Sequence, residues 1–143
     1  MNSNLAAGAQ FEREFCQLLY NNGFWVHRIV QNIGGQQPAD IIAIKGRFHA
    51  LIDCKVVSTI RGFSFERVED NQRMAMSLFK LRGIEEGWFA LKLPSGKVEM
   101  LNLWQIEKHE SNNRHSINTA ELESGKFTVT LDEWMRRAAS MWK

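Results

Sequence analysis

Apolar positions along this chain recur with two different periods. Phe11, Phe15, Leu18 and Leu19 keep the i, i+4, i+7, i+8 spacing of a single helical face, and Asn22-Gly23 supplies a stop. Residues 40–45 (Asp-Ile-Ile-Ala-Ile-Lys) and 48–57 (Phe-His-Ala-Leu-Ile-Asp-Cys-Lys-Val-Val) are instead β-branched, apolar runs. Between them Gly46-Arg47 can close a two-residue hairpin with glycine first. Asp70 is placed to cap a helix that carries Met74, Leu78 and Leu81 on one face and ends at Gly83. Residues 87–93 and 97–103 read as strands joined by Pro94-Ser95-Gly96, and residues 104–108 begin a short helix. The polar stretch 109–119 is predicted to be an exposed loop. Thr130-Leu131-Asp132-Glu133 matches a capping box, and Val129 with Trp134 matches a hydrophobic staple, so a last helix begins there. Its apolar face is Leu131, Trp134, Met135, Ala138 and Trp142. The whole describes a small α/β domain.

The hairpin sets a register with chemical consequences. With Gly46-Arg47 as the loop, Lys45 pairs with Phe48, and five further steps outward set Asp40 opposite Asp53. Side chains alternate along a strand, so Asp40, Asp53 and Lys55 share one surface. Two carboxylates side by side repel unless they share a cation or a proton. Oxygen ligands of this kind suit a hard divalent cation. An Asp-x-Lys triplet alone is most often a solvated strand end or a surface ion pair; Asp40 across the hairpin is what changes that reading. The first helix offers a third carboxylate. At about 100° per residue Glu12 falls near Leu19 on the flank of the apolar stripe, whereas Arg13 and Glu14 point further out.

Composition narrows the picture further. With 143 residues, 44% of them apolar, the chain is long enough for one domain over residues 1–143 and too short for two. A net charge of +2 is weak for a nucleic-acid binder, but the stretch from Arg28 to Arg67 concentrates base: Arg28, Lys45, Arg47, Lys55, Arg61 and Arg67 stand against Asp40, Asp53 and Glu66. Such a stretch suits an approaching phosphate backbone, with Arg28, Arg47, Arg61 and Arg67 as the candidate contacts. Cys16 and Cys54 show no CxxC or Cys/His zinc spacing, which fits packing thiols in a reduced, cytoplasmic protein. Gly34-Gly35 is an isolated pair and reads as a loop, not a phosphate-cradling motif. There is no signal-peptide pattern, and no apolar run of membrane-spanning length.

Taken in order, Gly8-x-x-Phe11-Glu12, Gly23-Phe24, Val26-His27-Arg28, Gly35 with Pro38-Ala39-Asp40-Ile41-Ile42-Ala43, and Ile52-Asp53-Cys54-Lys55 resemble the PD-(D/E)xK nuclease superfamily. Within it the spacing is similar to Holliday-junction resolvases of the archaeal Hjc type and the RecU type. Phe63-Ser64-Phe65, Val68 and Asp70-Asn71-Gln72 lean towards the latter, although only residues 56–63 stand where RecU-type enzymes carry a long arm. The resemblance covers roughly residues 8 to 103. It implies a restriction-endonuclease-like fold, a mixed central β-sheet flanked by helices, and a Mg²⁺- or Mn²⁺-dependent endonuclease acting on branched DNA as a homodimer. It further implies that Asp40 and Asp53 bind the metal with the main-chain carbonyl of Cys54, that Glu12 completes or supports the site, that Lys55 positions the attacking water or stabilises the phosphorane-like state, and that Gln72 is auxiliary. A restriction-like, repair or phage DNA-processing nuclease is the alternative within the superfamily. A non-catalytic DNA-binding or assembly protein on the same fold is the alternative outside catalysis, and the intact Glu12, Asp40, Asp53, Lys55 set speaks against it.

Overall fold

The computed structural model describes residues 3–29, 39–83 and 85–141. Gly34, Gly35, Pro38 and Trp142, named above, lie outside them. Helix α1 (Ser3–Asn21) leads to strand β1 (Trp25–Arg28), which pairs antiparallel with β2 (Ile41–Lys45), and β2 pairs antiparallel with β3 (Phe48–Val56). A short strand β4 (Phe63–Ser64) and a single 3₁₀ turn (Phe65–Arg67) precede α2 (Asp70–Gly83), which carries the chain over to β5 (Gly87–Lys92), parallel to β3. Strand β6 (Val98–Asn102) returns antiparallel to β5. The rest is α3 (Leu103–Ser111), β7 (Ser116–Ile117), α4 (Thr119–Ser124), β8 (Val129–Thr130) and α5 (Leu131–Ser140). The central sheet runs β1-β2-β3-β5-β6-β8, and β4 pairs with β7 apart from it.

The hairpin closes as the sequence predicts. Gly46 sits at φ +58° and Arg47 at negative φ, the conformation of a type II′ loop that accepts glycine first at little cost. Lys45 faces Phe48 and Ile41 faces Ile52, where the paired register ends; Asp40, one residue before, turns its own N–H to the Ile52 carbonyl at 3.0 Å instead of pairing opposite Asp53.

Alternation along the strands builds two cores. On one face Ile41, Ala43, Phe48, Ala50 and Ile52 pack with Phe11, Phe15 and Leu19 of α1 and Trp134 and Ala138 of α5. On the other, Leu51, Val57, Phe89, Leu91 and Leu101 pack with Met76 of α2 and Leu103 and Ile106 of α3. The result is a three-layer helix–sheet–helix sandwich. Trp134 anchors the first core, stacked on Phe24 at 5.5 Å and edge-on to Phe48 at 5.1 Å. Thr130 caps its helix by accepting the Glu133 N–H at 3.2 Å, as the capping pattern predicts.

Two expectations are corrected. Met74, Leu78 and Leu81 do not face the core: they are 73%, 54% and 74% exposed, and the buried positions of α2 are Gln72 and Met76. The reason lies at Gly87, where any Cβ would stand 2.3 Å from Met76 Cγ. The helix seats Met76 against the bare start of β5, and this rotation turns the apparent apolar face outward. The stretch 109–119 is not an exposed loop either. Helix α3 runs on to Ser111, Ile117 is fully buried in β7, and Asn118 forms a reciprocal capping box with Glu121 to start α4. Among the described residues no helix is long and apolar enough to cross a membrane.

Candidate active site

Asp53 is held near the end of β3 by its parallel pairing with Phe89 of β5, one residue beyond the last β2–β3 pair, Ile41–Ile52. It is only 2% exposed. Asp40 stands just before β2, partly buried, and its Oδ2 accepts the main-chain N–H of Cys54 at 2.8 Å. That bond ties the two strand ends together and brings the Asp40 carboxylate alongside Asp53. Lys55, two residues on and on the same face, brings its ammonium to 3.0 Å from Asp53 Oδ2.

These neighbours act on Asp53 in opposite senses. Burial is the largest influence and raises its pKa, the Asp40 carboxylate raises it further, and Lys55 pulls it down; the balance lifts it from 3.8 to about 7. The pair therefore carries an unmet demand for positive charge. Cys54 points its thiol to the α1 side of the sheet, where burial first and then the charges of Asp40, Asp53 and Glu12 push its pKa well above the ordinary thiol value. It stays a thiol and takes no part as a soft ligand.

Glu12 lies on α1 with its side chain 18% exposed, and its carboxylate accepts from Arg28 Nε at 3.1 Å. Burial raises the Glu12 pKa, the Asp40 charge adds to this, and Arg28 opposes both. Glu12 thus shares the electrostatic environment of the aspartates but is paired with arginine. Among the described residues no group of three or more His, Cys, Asp or Glu side chains converges to hold a metal. The side chains that could hold a cation there are those of Asp40 and Asp53. Two neighbouring carboxylates that repel each other, offering oxygen donors alone, fit a hard cation that keeps several of its waters.

A cleft of about 340 Å³ opens at this end of β3, walled by Gly8 of α1, Lys55, Val57, Ser58 and Arg67. Arg67 donates from Nη1 to the Val56 carbonyl at 2.9 Å, with its guanidinium 5.9 Å from the Phe63 ring centre. Burial lowers its pKa, and the Asp53 carboxylate partly restores it. Arg61 is exposed on the loop beside Ser58, whose Oγ accepts its N–H at 3.0 Å. Arg47, by contrast, is at the hairpin tip, six residues from Asp53 along β3 and so about 20 Å away. Gln72 is buried at the start of α2, and its Oε1 accepts the Glu69 N–H at 3.3 Å, the bond of a helix cap. The fold thus gathers Asp40, Asp53, Lys55, Glu12, Arg28 and Arg67 at one end of the sheet and leaves Arg47 at the other. The Glu12–Arg28 pair and the wall position of Ser58 carried no local pattern that a reading of the sequence could have used.

A mixed sheet between helices, with Asp and Asp-x-Lys on adjoining strand ends and a helical glutamate beside them, defines a metal-dependent nuclease of the PD-(D/E)xK class. Comparison with family models matches residues 3–136 to the archaeal Holliday junction resolvase (hjc) family. The chain belongs to that family, whose members are endonucleases that act on Holliday junctions. Among solved structures it is similar to Hjc of the archaeal hyperthermophile Archaeoglobus fulgidus, a Holliday junction resolvase, with 20% identity over 90% of this chain and 97% of that one and a TM-score of 0.65. No curated protein sequence matches it.

Proposed function

We propose that the protein hydrolyses phosphodiester bonds at Holliday junctions with Mg²⁺ or Mn²⁺ held by Asp40, Asp53 and the Cys54 carbonyl, and that it works as a homodimer in the cytoplasm. The observation that carries this reading is the buried Asp53 carboxylate beside that of Asp40, with the Lys55 ammonium 3.0 Å away. The cation, when bound, supplies Lewis acidity at the scissile phosphate and acidifies a water molecule. Lys55 presents its charge at the cleft wall, where it can orient the attacking water and neutralise a non-bridging oxygen as negative charge builds up. Glu12 fixes Arg28 at the site's edge and adds negative potential toward the cation. Arg67 and Arg61 line the approach of the backbone, Arg47 can reach only a more distant arm, and Gln72 orients the first turn of α2 as an auxiliary residue. Two free thiols are compatible with a reducing compartment.

The second copy is assigned to the exposed stripe Met74, Leu78 and Leu81, spaced as one seam along α2. Helix α5 is a poorer partner surface, since Trp134 and Ala138 are spent in the core. The metal site is tested by thermal denaturation with and without Mn²⁺, alongside cleavage of matched four-way, flap and linear DNA. The wild type should be stabilised by the metal and Asp53→Asn should lose most of that stabilisation. Lys55→Ala should cut at least ~10²-fold more slowly with junction affinity within about tenfold of wild type. Equal metal stabilisation of wild type and Asp53→Asn overturns the metal assignment, and parallel losses of rate and affinity make Lys55 a DNA-positioning residue.

A further inference from the structure

A second groove, of about 330 Å³, lies between α3 and residues 126–128, away from the aspartate pair. Trp104 forms one lip and is 53% exposed, with the Lys108 ammonium 5.1 Å from its ring centre. Phe127 forms the other, with Lys126 at 5.7 Å from its ring and the His109 ring edge-on at 5.4 Å. Asn112 also lines the groove, and no lining residue is acidic. Among the described residues neither lysine is in an ion pair, while the nearby α3 acids Glu107 and Glu110 are turned to Arg73 of α2, at 3.7 and 2.8 Å. The groove is therefore positive, aromatic and polar at once, a combination that complements a nucleic-acid strand better than an apolar protein surface.

Its position relative to the cleavage site is fixed by the sheet. Val129 pairs with Met100, so Thr128 continues the register to Leu101, which is level with Phe89 and hence with Asp53. Three strand spacings separate them, about 14 Å across the sheet. Phe127 packs on the core that includes Leu51 and Val57, the face to which Asp53 and Lys55 also point. A strand leaving the catalytic cleft on that side has a gap of about 14 Å to cross, within reach of a few nucleotides.

We infer that this groove is a second, non-catalytic DNA contact that takes an unpaired stretch of strand next to the branch, with phosphates on Lys108 and Lys126 and a base stacked on Trp104. The inference rests on the reading of the chain as a junction nuclease. Its test is binding of oligothymidine and of a four-way junction to wild type, Trp104→Ala and the Lys108→Ala/Lys126→Ala double variant over a range of salt, with Trp104→Phe used to assign the tryptophan fluorescence change. All the substituted side chains are exposed or at the surface, and circular dichroism confirms that each variant is folded. The double variant should bind oligothymidine at least tenfold more weakly, and its dependence of log affinity on log salt should be shallower by about 1.4, two phosphates at ~0.7 each. Trp104→Ala should lose affinity with the salt slope unchanged, and all variants should cut a saturated junction at the wild-type rate. Unchanged oligothymidine affinity in both variants, or no binding by the wild type, overturns the groove. A wild type that binds DNA but cuts none with Mg²⁺ or Mn²⁺ overturns the nuclease reading and leaves the groove standing.

Discussion

Asp53 is the residue at which folding and function pull against each other. Its pKa of about 7 in the fold, against 3.8 for the ordinary side chain, means that between these values the folded protein holds a proton the unfolded chain has released. Stability of the metal-free protein must therefore fall as pH rises from about 4 to about 7, by at most ~4 kcal/mol from this one group at 1.36 kcal/mol per unit. Glu12, also raised, contributes in the same sense, whereas the lowered acids Glu14, Glu121 and Glu133 oppose it only weakly from exposed positions. Melting temperatures measured in EDTA across this range should decline for the wild type and stay nearly level for Asp53→Asn, which should be the more stable of the two at neutral pH. Identical slopes for both proteins would remove Asp53 as the source. The nearness of Asp40 to Asp53 was legible from sequence because a two-residue hairpin fixes the register as far as Ile41–Ile52; that Asp40 itself leaves the register, bonding Ile52 through its N–H and Cys54 through its carboxylate, was not. The Glu12–Arg28 pair was not, because it joins a helix to a strand 16 residues away through tertiary packing alone.

At the scale of elements, periodicity located α1, the β2–β3 hairpin, the β5–β6 pair and the start of α5, since each buries several residues on a single face. It failed on α2, which carries two apolar faces. Met74, Leu78 and Leu81 form the better helical stripe in sequence, yet Gln72 and Met76 are the residues buried. What decides the rotation is a residue outside the helix, Gly87, whose missing side chain admits Met76. Gly87→Ala should accordingly destabilise the protein by about 1–3 kcal/mol, the usual range for overpacking a tight contact, as read from urea denaturation. A change near zero would mean that α2 docks loosely and that its facing is not set at this contact. The stretch after α3 failed for a different reason. A two-residue strand and a six-residue helix each bury one apolar residue, Ile117 and Leu122, which is too little to stand out in a polar background.

At the scale of the molecule, one chain presents one aspartate pair and one Lys55, while a Holliday junction must be cut in two strands to be resolved. A two-fold dimer answers this by placing two copies of one site under one symmetry axis, through an isologous surface that meets itself. The α2 stripe has the required character: apolar, exposed, and on the helix that begins just after Arg67 at the cleft. Leu78→Glu puts a charge at the middle of the seam without touching the core, because Leu78 is 54% exposed in the single chain. Light scattering should then give the wild type a mass of twice 16.5 kDa and the variant a mass of 16.5 kDa at the same concentration. On a four-way junction the variant should release singly nicked product where the wild type releases paired cuts, with the rate of the first nick changed far less than the coupling between nicks. A variant that stays dimeric moves the interface elsewhere. A wild type that remains monomeric even on junction DNA removes the dimer from the mechanism and leaves resolution to two successive, independent nicks.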